Sequence, residues 1–499
     1  MSKKFVNIMD FGAVADGKTI NTEAFKSAIE ECSKNGGGTV YVPAGKYATG
    51  PIHLKSNITL NIDAGAVLLF SNDINDFPIV NSRWEGEECE VYSPLFYGEN
   101  LENVAIVGRG TLDGQGEYWW KLMSEGKIEY PRPRFISFTD SKNILIEGVF
   151  ITNSPAWTIN PICCENVTVN KVTIKNPAFS PNTDGINPDS CKNVHISNCH
   201  IDVGDDCIAI KSGVETSTKR VPCENITITN CTMVHGHGGV VIGSEMSGGV
   251  RNIVISNCVF EGTDRGIRIK SRRRRGGFVE DIRVNNIIMK SVICPFILNL
   301  YYHCGANGRE QYVWDENPYP VDETTPAFRR IHLSNITARE VRACAAFMYG
   351  LSEMPVEDIT LENITIHMDK DANPAKPAMM TKIEKMKQKG VICRNAKNIR
   401  FTNVTVSEHE GPAFDIKTTK GLELAGCKAD NSNANDPVIV LESVRDAFIH
   451  SSKLDAGREI FIELKGTENK DIELAGNSRN IKKENIKAAD GADISAIVM

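Results

Sequence analysis

Residues 192–201 read KNVHISNCHI, residues 224–233 read ENITITNCTM and residues 251–260 read RNIVISNCVF. Each phrase alternates apolar and polar positions, is rich in Val, Ile and Thr, and is broken by an internal Asn. Alternation with period 2 marks a strand with one buried face, and Asn suits the bend between two short strands. The phrase recurs as ENVAIVG from Glu102, KNILIEGV from Lys142, ENVTVNKVTI from Glu165, EDIRVNNIIM from Glu280, RRIHLSNITA from Arg329, EDITLENITI from Glu357 and KNIRFTNVTV from Lys397, with weaker copies beyond. Asn143, Asn166, Asn193, Asn225 and Asn252 take its second position, 23, 27, 32 and 27 residues apart. Periods of this size mean stacked units. One strand cannot bury its apolar side alone, whereas coils stacked about 4.8 Å apart can. The chain therefore reads as all-β, a right-handed parallel β-helix with Ile/Val columns inside and Asn ladders at the bends. A β-propeller wants about 40 residues per blade and fits less well.

The solenoid takes all 499 residues as a single domain. Its parts are an N-terminal cap with the first coils over 1–50, main coils over 51–455, and C-terminal coils and tail over 456–499. NTEAFKSAIEECSKNGGG, residues 21–38, reads as an amphipathic helix. Ala24, Phe25, Ala28, Ile29 and Cys32 share a face, Asn21 or Thr22 is the expected cap and Gly36 the stop. Such a helix would cover the open end of the solenoid. Long steps mark insertions between Ile288 and Arg329 and around Asp369–Lys389. The segment PAKPAMMTKIEKMKQKG in the second is expected to carry a helix.

Lys+Arg number 56 and Asp+Glu 63, a net charge of −7, which argues against a general nucleic-acid binder. No apolar run approaches the roughly 18 residues of a membrane helix. The opening MSKKFVNIMDFGAVADG lacks the apolar stretch of a secretory signal. Fifteen cysteines, an odd number at scattered strand-like positions, fit buried free thiols in a reducing compartment. The expected location is the cytoplasm. No interface signal fixes the oligomeric state.

Four clusters break the structural pattern: NTDG at Asn182–Gly185, GDD at Gly204–Asp206, GHG at Gly236–Gly238 and RIK at Arg268–Lys270. Alone, NTDG is an ordinary turn, Asp205-Asp206 a solvated loop, His237 a turn residue and RIK an exposed strand face. Their spacing changes that reading. Asp184 to Asp205 is 21 residues, Asp206 to His237 is 31 and His237 to Arg268 is 31, each about one coil. In a parallel β-helix they would form one stripe. Arg268 and Lys270, at i and i+2, point the same way. Crowded carboxylates push one pKa up, which makes an acid and a base from one residue type. That pairing suits glycoside hydrolysis. Arg268 and Lys270 suit an anionic sugar, since Arg matches a carboxylate bidentately.

These motifs, with GGGTVYVPAGKYATGPIHLKSNITL and GRGTLDGQGEYWW, resemble glycoside hydrolase family 28, the polygalacturonases. The resemblance is specific from about Phe5 to Lys270 and looser to about Thr419. It implies inverting hydrolysis of α-1,4 bonds between galacturonic acids, with no metal or other cofactor. It assigns the general acid to Asp205, the water-activating pair to Asp184 and Asp206, and the tuning of the acid to His237. Asn182, Arg268, Lys270 and a tyrosine, Tyr302 in preference to Tyr301, are the implied substrate-binding residues. Inversion leads one to expect the acid and base carboxyls about 6.5–9.5 Å apart.

Extra segments resemble the bacterial exo-acting branch. SRWEGEECEVYSPLFY from Ser82 offers Arg83, Trp84 and Glu85 as contacts to a terminal sugar, and Arg272–Arg275 offer a second carboxylate contact. The implied activity is exo-hydrolysis of pectic oligosaccharides from the non-reducing end, releasing galacturonate. The alternatives are an endo-polygalacturonase or rhamnogalacturonan-type hydrolase of the same fold, a Ca²⁺-dependent pectate lyase, and a non-catalytic carbohydrate-binding solenoid. The last two do not require His237.

Overall fold

The computed structural model describes residues 5–430, 435–454, 458–478 and 481–499. The expected boundary at 455–456 lies outside them. The chain divides into two compact units, residues 1–241 with 248–253, and residues 242–247 with 254–499.

The first unit is a parallel β-helix built from the repeated phrase. Strands Gly38–Val42, Ile58–Ile62, Glu102–Gly108, Lys142–Glu147, Glu165–Asn170, Lys192–Ser197 and Cys223–Thr229 pair in parallel, coil upon coil. Their register stacks Val40, Leu60, Ile106, Ile146, Val169, Ile196 and Ile228 in one buried column. A second sheet stacks Leu68, Leu112, Ile151, Ile174, Ile201 and Met233 in the same way. A third runs through Ile52–His53, Phe96–Glu99 and Ile136–Thr139 to the bridges Ile136–Ile159, Ile159–Ile186 and Ile186–Ile208. Side chains alternate across a strand, so Ser137, Asn160 and Asn187 occupy the other face of that third sheet.

The Asn ladder runs unbroken through this unit. Each amide nitrogen donates to the side-chain oxygen one coil back, from Asn252 through Asn225, Asn193, Asn166, Asn143 and Asn103 to Asn57, at 2.9–3.1 Å. All seven have φ between 55° and 62°, the left-handed region that Asn tolerates better than most residues.

The expected helix spans Thr22–Lys34 and buries the five expected residues. It packs against Phe5–Asn7, Gly38–Val42, Ile52–His53 and Ile58–Ile62. Neither expected cap acts as one. The Asn21 amide is turned to the carbonyls of Val14, Thr19 and Ala48, and the Thr22 hydroxyl accepts from Gly50 N–H. Both polar groups pin the helix to neighbouring chain instead of closing its first turn.

The second unit repeats the design. Ile269, Leu298, Met348, Cys393, Ile416, Leu441 and Leu464 form a buried column across parallel strands. The helix expected in 374–390 does not form. That stretch is irregular, with isolated bridges Ala375–Met386 and Tyr302–Met380. Pro374 and Pro377 remove helix hydrogen bonds, and Arg265 bonds the carbonyls of Lys376 and Pro377. All fifteen cysteines are free and twelve are buried. Among the described residues, no helix is long and apolar enough to cross a membrane.

Asn193→Ala is expected to destabilise the protein by about 2 kcal/mol, from the left-handed backbone and two lost amide bonds, and Asn193→Gly by about half as much. Urea denaturation measures the difference, and equal losses would assign the whole effect to the hydrogen bonds.

Candidate active site

The coils that carry NTDG, GDD and GHG lie in the first unit. Their backbones interlock directly. Thr158 N–H donates to Asp184 O at 2.8 Å, Gly185 N–H to Asp206 O at 3.0 Å, Cys207 N–H to Gly238 O at 2.8 Å and His237 N–H to Asp205 O at 3.1 Å. Two motif glycines are required by this closeness. A Cβ on Gly185 would lie 2.4 Å from Cys207 O, and one on Gly236, at φ +71°, 2.4 Å from Asp205 O.

The three aspartates converge as the register predicts. One oxygen from each of Asp184, Asp205 and Asp206 lies within 4.8 Å of the others. This is a closest-oxygen distance, set by the bonding of one coil to the next and by the adjacency of Asp205 and Asp206 in the chain, and is a different quantity from the 6.5–9.5 Å separation of acid and base carboxyl groups. Asp184 and Asp206 are each 3 % exposed, Asp205 is half-buried and His237 is exposed. Burial, then the charges of Asp205 and Asp206, hold the Asp184 carboxyl well above the usual range. The Lys211 ammonium and a 2.8 Å bond from the Asn187 amide to Asp184 Oδ2 pull the other way. The crowding that makes one carboxyl keep its proton therefore acts on Asp184, the residue to which the resemblance gives a base role.

Sequence reasoning missed three residues here. Lys211 lies inside the quoted motif, as IAIKSG, but carried no signal apart from its strand. It is buried, with Nζ 4.6 Å above the Trp157 ring. Asn187 follows Asp184 by three residues. Arg132 comes from PRPRF, 52 residues before Asp184. Its guanidinium donates to Asn182 Oδ1 at 2.6 Å and to the carbonyls of Pro155 and Pro181 at 2.8 Å. The side-chain oxygen of Asn182, an expected substrate contact, is thus engaged by Arg132, and Asn182 has φ +53°.

Arg83, Trp84 and Glu85 sit at the tip of a hairpin formed by Ile79–Trp84 and Glu87–Tyr92. Its position departs from the expectation at one residue. Arg83 is 4 % exposed and ion-paired at 3.0 Å to both Asp189 and Glu88. It anchors the hairpin and does not present its charge to a sugar. Trp84 stacks on Trp157, centroids 4.7 Å apart and planes 18° apart. Glu85 is exposed and acts electrostatically on Arg132. Arg134 completes the anchor by donating to Arg83 O and Asn160 Oδ1, both at 2.9 Å. Ser217 Oγ donates to Gly86 O at 2.6 Å. The hairpin is therefore seated on the sheet that carries Asp184.

The second unit brings Arg268, Lys270 and Tyr302 together. Arg268 Cζ lies 5.9 Å and Lys270 Nζ 5.1 Å from the Tyr302 ring centroid. Tyr301 instead is fully buried, with Arg273 5.6 Å from its ring. Three of the four arginines in the run differ from the expected carboxylate contact, while Arg274 is exposed with Cζ 4.0 Å from the Tyr312 ring centroid. Arg272, Arg273 and Arg275 are buried. Arg273 pairs with Glu353 and donates to the carbonyls of Tyr312 and Asn317, and Arg272 donates to Ala306 O. Their charges fasten the insertion after Tyr302.

The sequence model of glycosyl hydrolases family 28 matches residues 32–377. The chain belongs to glycosyl hydrolase family 28. This family 28 chain is 38% identical over 374 residues to a probable polygalacturonase of Vitis vinifera, across 72% of this chain and 74% of the relative. It is 33% identical over 307 residues to an endo-polygalacturonase of Pectobacterium carotovorum subsp. carotovorum, across 58% and 73%. The crystal structure of a hyperthermoactive exopolygalacturonase from Thermotoga maritima is similar with a TM-score of 0.66 and 35% identity, covering 80% of this chain and 91% of that one. The family resemblance and the β-helical fold class both hold, and the protein is a glycoside hydrolase.

The buried Asp184 gives a pH test. Its native pKa is raised, so as pH climbs past about 4 the unfolded chain releases this proton first and the native state loses stability. Asp184→Asn removes the penalty. Its Tm is expected to exceed that of the wild type at about pH 7 and to match it near about pH 3, with activity lost throughout. Thermal unfolding across pH measures this, and a difference that does not grow with pH would contradict the raised pKa.

Proposed function

We propose that the protein hydrolyses α-1,4-galacturonosidic bonds of pectic oligosaccharides, acting from the non-reducing end and releasing galacturonate. Polygalacturonases of both endo and exo type are among its relatives. The observation that carries the exo reading is the seating of the 79–92 hairpin on the catalytic sheet through Arg83, Arg134 and Ser217. A wall fixed by buried charge is what would close one end of a groove, and a closed end favours attack on a chain terminus. Trp84 and Glu85 at its tip are the proposed contacts to that end. Within the second unit, Arg268 and Lys270 over the Tyr302 ring make a cationic group of the kind that matches a uronate carboxylate.

In the proposed reaction Asp205 donates a proton to the glycosidic oxygen as its bond to C1 breaks. A water held by Asp184 and Asp206 attacks C1 and loses its proton to that pair. His237, exposed beside Asp205, tunes the acid's protonation. Attack on the face opposite the leaving group gives inversion. Preference for oligomers over polymer accords with a cytoplasmic location, which the buried thiols favour. A second reading, a Ca²⁺-dependent lyase, is favoured by the spacing of the three carboxylates, which would suit a cation. The nearby Lys211 charge weighs against it.

Digestion of trigalacturonate and of long polygalacturonate with chelator present tests the proposal. Galacturonate alone from the first time points, with slow loss of viscosity, is expected. Replacing residues 79–92 with a short turn is expected to yield mixed oligomers. A mixed ladder from the intact protein would overturn exo action, and a chelator-abolished, unsaturated product would establish the lyase. Proton NMR of the first anomer released reads the stereochemistry.

A further inference from the structure

Among the groups around the carboxylates, Arg132 has no place in the reaction just described, yet it is 2 % exposed and fully engaged. Burying a guanidinium is costly unless its donors and charge are both answered. Its donors are answered by Pro155 O, Pro181 O and Asn182 Oδ1. Its charge is answered by the three acidic groups that act on it, Glu85, Asp184 and Asp205. Burial brings the Arg132 pKa down to about 10, so it stays cationic throughout the working range of a carboxylate enzyme.

The neighbouring residue explains how it is placed. Pro131 and Pro133 hold the PRPRF segment extended, which sends Arg132 and Arg134 to one side. Arg134 fastens the hairpin through Arg83 O. Arg132 fastens the turn that carries Asp184, through Pro181 O and Asn182 Oδ1. One five-residue segment thus ties the 79–92 hairpin and the turn that carries Asp184 to a common support.

We propose that Arg132 is a positioning residue of the hydrolytic site, which fixes the 181–184 turn and supplies the positive charge against which Asp184 and Asp205 ionise, with Glu85 as its counter-charge. Arg132 is too deeply buried to touch substrate. Asp184 also faces Asp206, Lys211 and the Asn187 amide, so the Arg132 charge acts on it alongside that of Lys211. Its fork differs from Lys211 in bonding the turn itself.

The inference rests on the hydrolase reading, and release of reducing sugar by the wild type checks that reading separately. The test is the pH profile of kcat/KM on trigalacturonate for Arg132→Gln, Arg132→Lys and Glu85→Gln. Removing the positive charge makes the carboxylates harder to ionise, so Arg132→Gln is expected to move the acidic limb up by about 1 pH unit. It should also lower kcat more than it raises KM. Arg132→Lys keeps the charge and should restore the limb while kcat stays low, since the fork is lost. Glu85→Gln frees more of the Arg132 field and should move the limb down. An equal loss at every pH with unmoved limbs in Arg132→Gln would make the residue purely structural and overturn the proposal. Should Arg132→Gln not fold, an unmoved limb in Glu85→Gln overturns it. If the wild type releases no sugar, the Tm of the same variants decides: the deficit of Arg132→Gln relative to Arg132→Lys should widen as pH rises through the carboxylate range, and a constant deficit counts against the charge.

Discussion

One spacing governs this protein, that of the N–H to O=C bond between parallel strands, which sets successive coils about 4.8 Å apart. Whatever residues share a register must share a column. Apolar residues in register make the buried Ile/Val/Leu columns. Asparagines in register make the ladder from Asn57 to Asn252, where each amide between the two ends has a partner above and below. Acidic residues in register make the cluster of Asp184, Asp205 and Asp206, and there the same constraint works against stability. Asp184 and Asp206 cannot move apart, because their backbones are bonded to each other through Gly185. The site therefore keeps its carboxylates together by main-chain geometry and answers them with Lys211, Asn187 and Arg132.

Periodic features were legible in the sequence for this reason. The repeated phrases gave the strands, and motif spacing of one coil brought Asp184, Asp205 and Asp206 together. The i, i+2 relation of Arg268 and Lys270 placed both over Tyr302. What lay outside the period was not legible. Arg132 reaches Asn182 from 50 residues away in sequence, and nothing in PRPRF specifies that partner. The direction of Arg83 depends on Asp189, 106 residues distant. The segment 374–390 has helix-forming composition, yet its prolines and the bonds from Arg265 decide its path. Asn21 and Thr22 have cap chemistry, but nearby loops compete for the same polar atoms and win.

The insertions share a device. Neither the 79–92 hairpin nor the loops after Tyr302 and around 380 belong to the coil ladders, so the ladder bonds cannot hold them. Buried arginines do so by donating to main-chain carbonyls: Arg134 to Arg83 O, Arg273 to Tyr312 and Asn317, Arg265 to Lys376 and Pro377. The planar fork can satisfy several carbonyls at once, which a lysine head of similar charge does with less geometric definition. Arginines that the sequence offers as substrate contacts, Arg83 and Arg273, are here internal fasteners.

The Thr22–Lys34 helix lies against Phe5–Asn7, Gly38–Val42, Ile52–His53 and Ile58–Ile62 and covers them against outside partners. A parallel ladder has no intrinsic length; its terminal strand is a template for another strand of any chain. With the helix in place, a second molecule arriving at that end meets charged residues such as Lys26 and Glu30. Thirteen residues thereby work against strand pairing between molecules at the strands they cover, a colloidal duty unrelated to sugar chemistry.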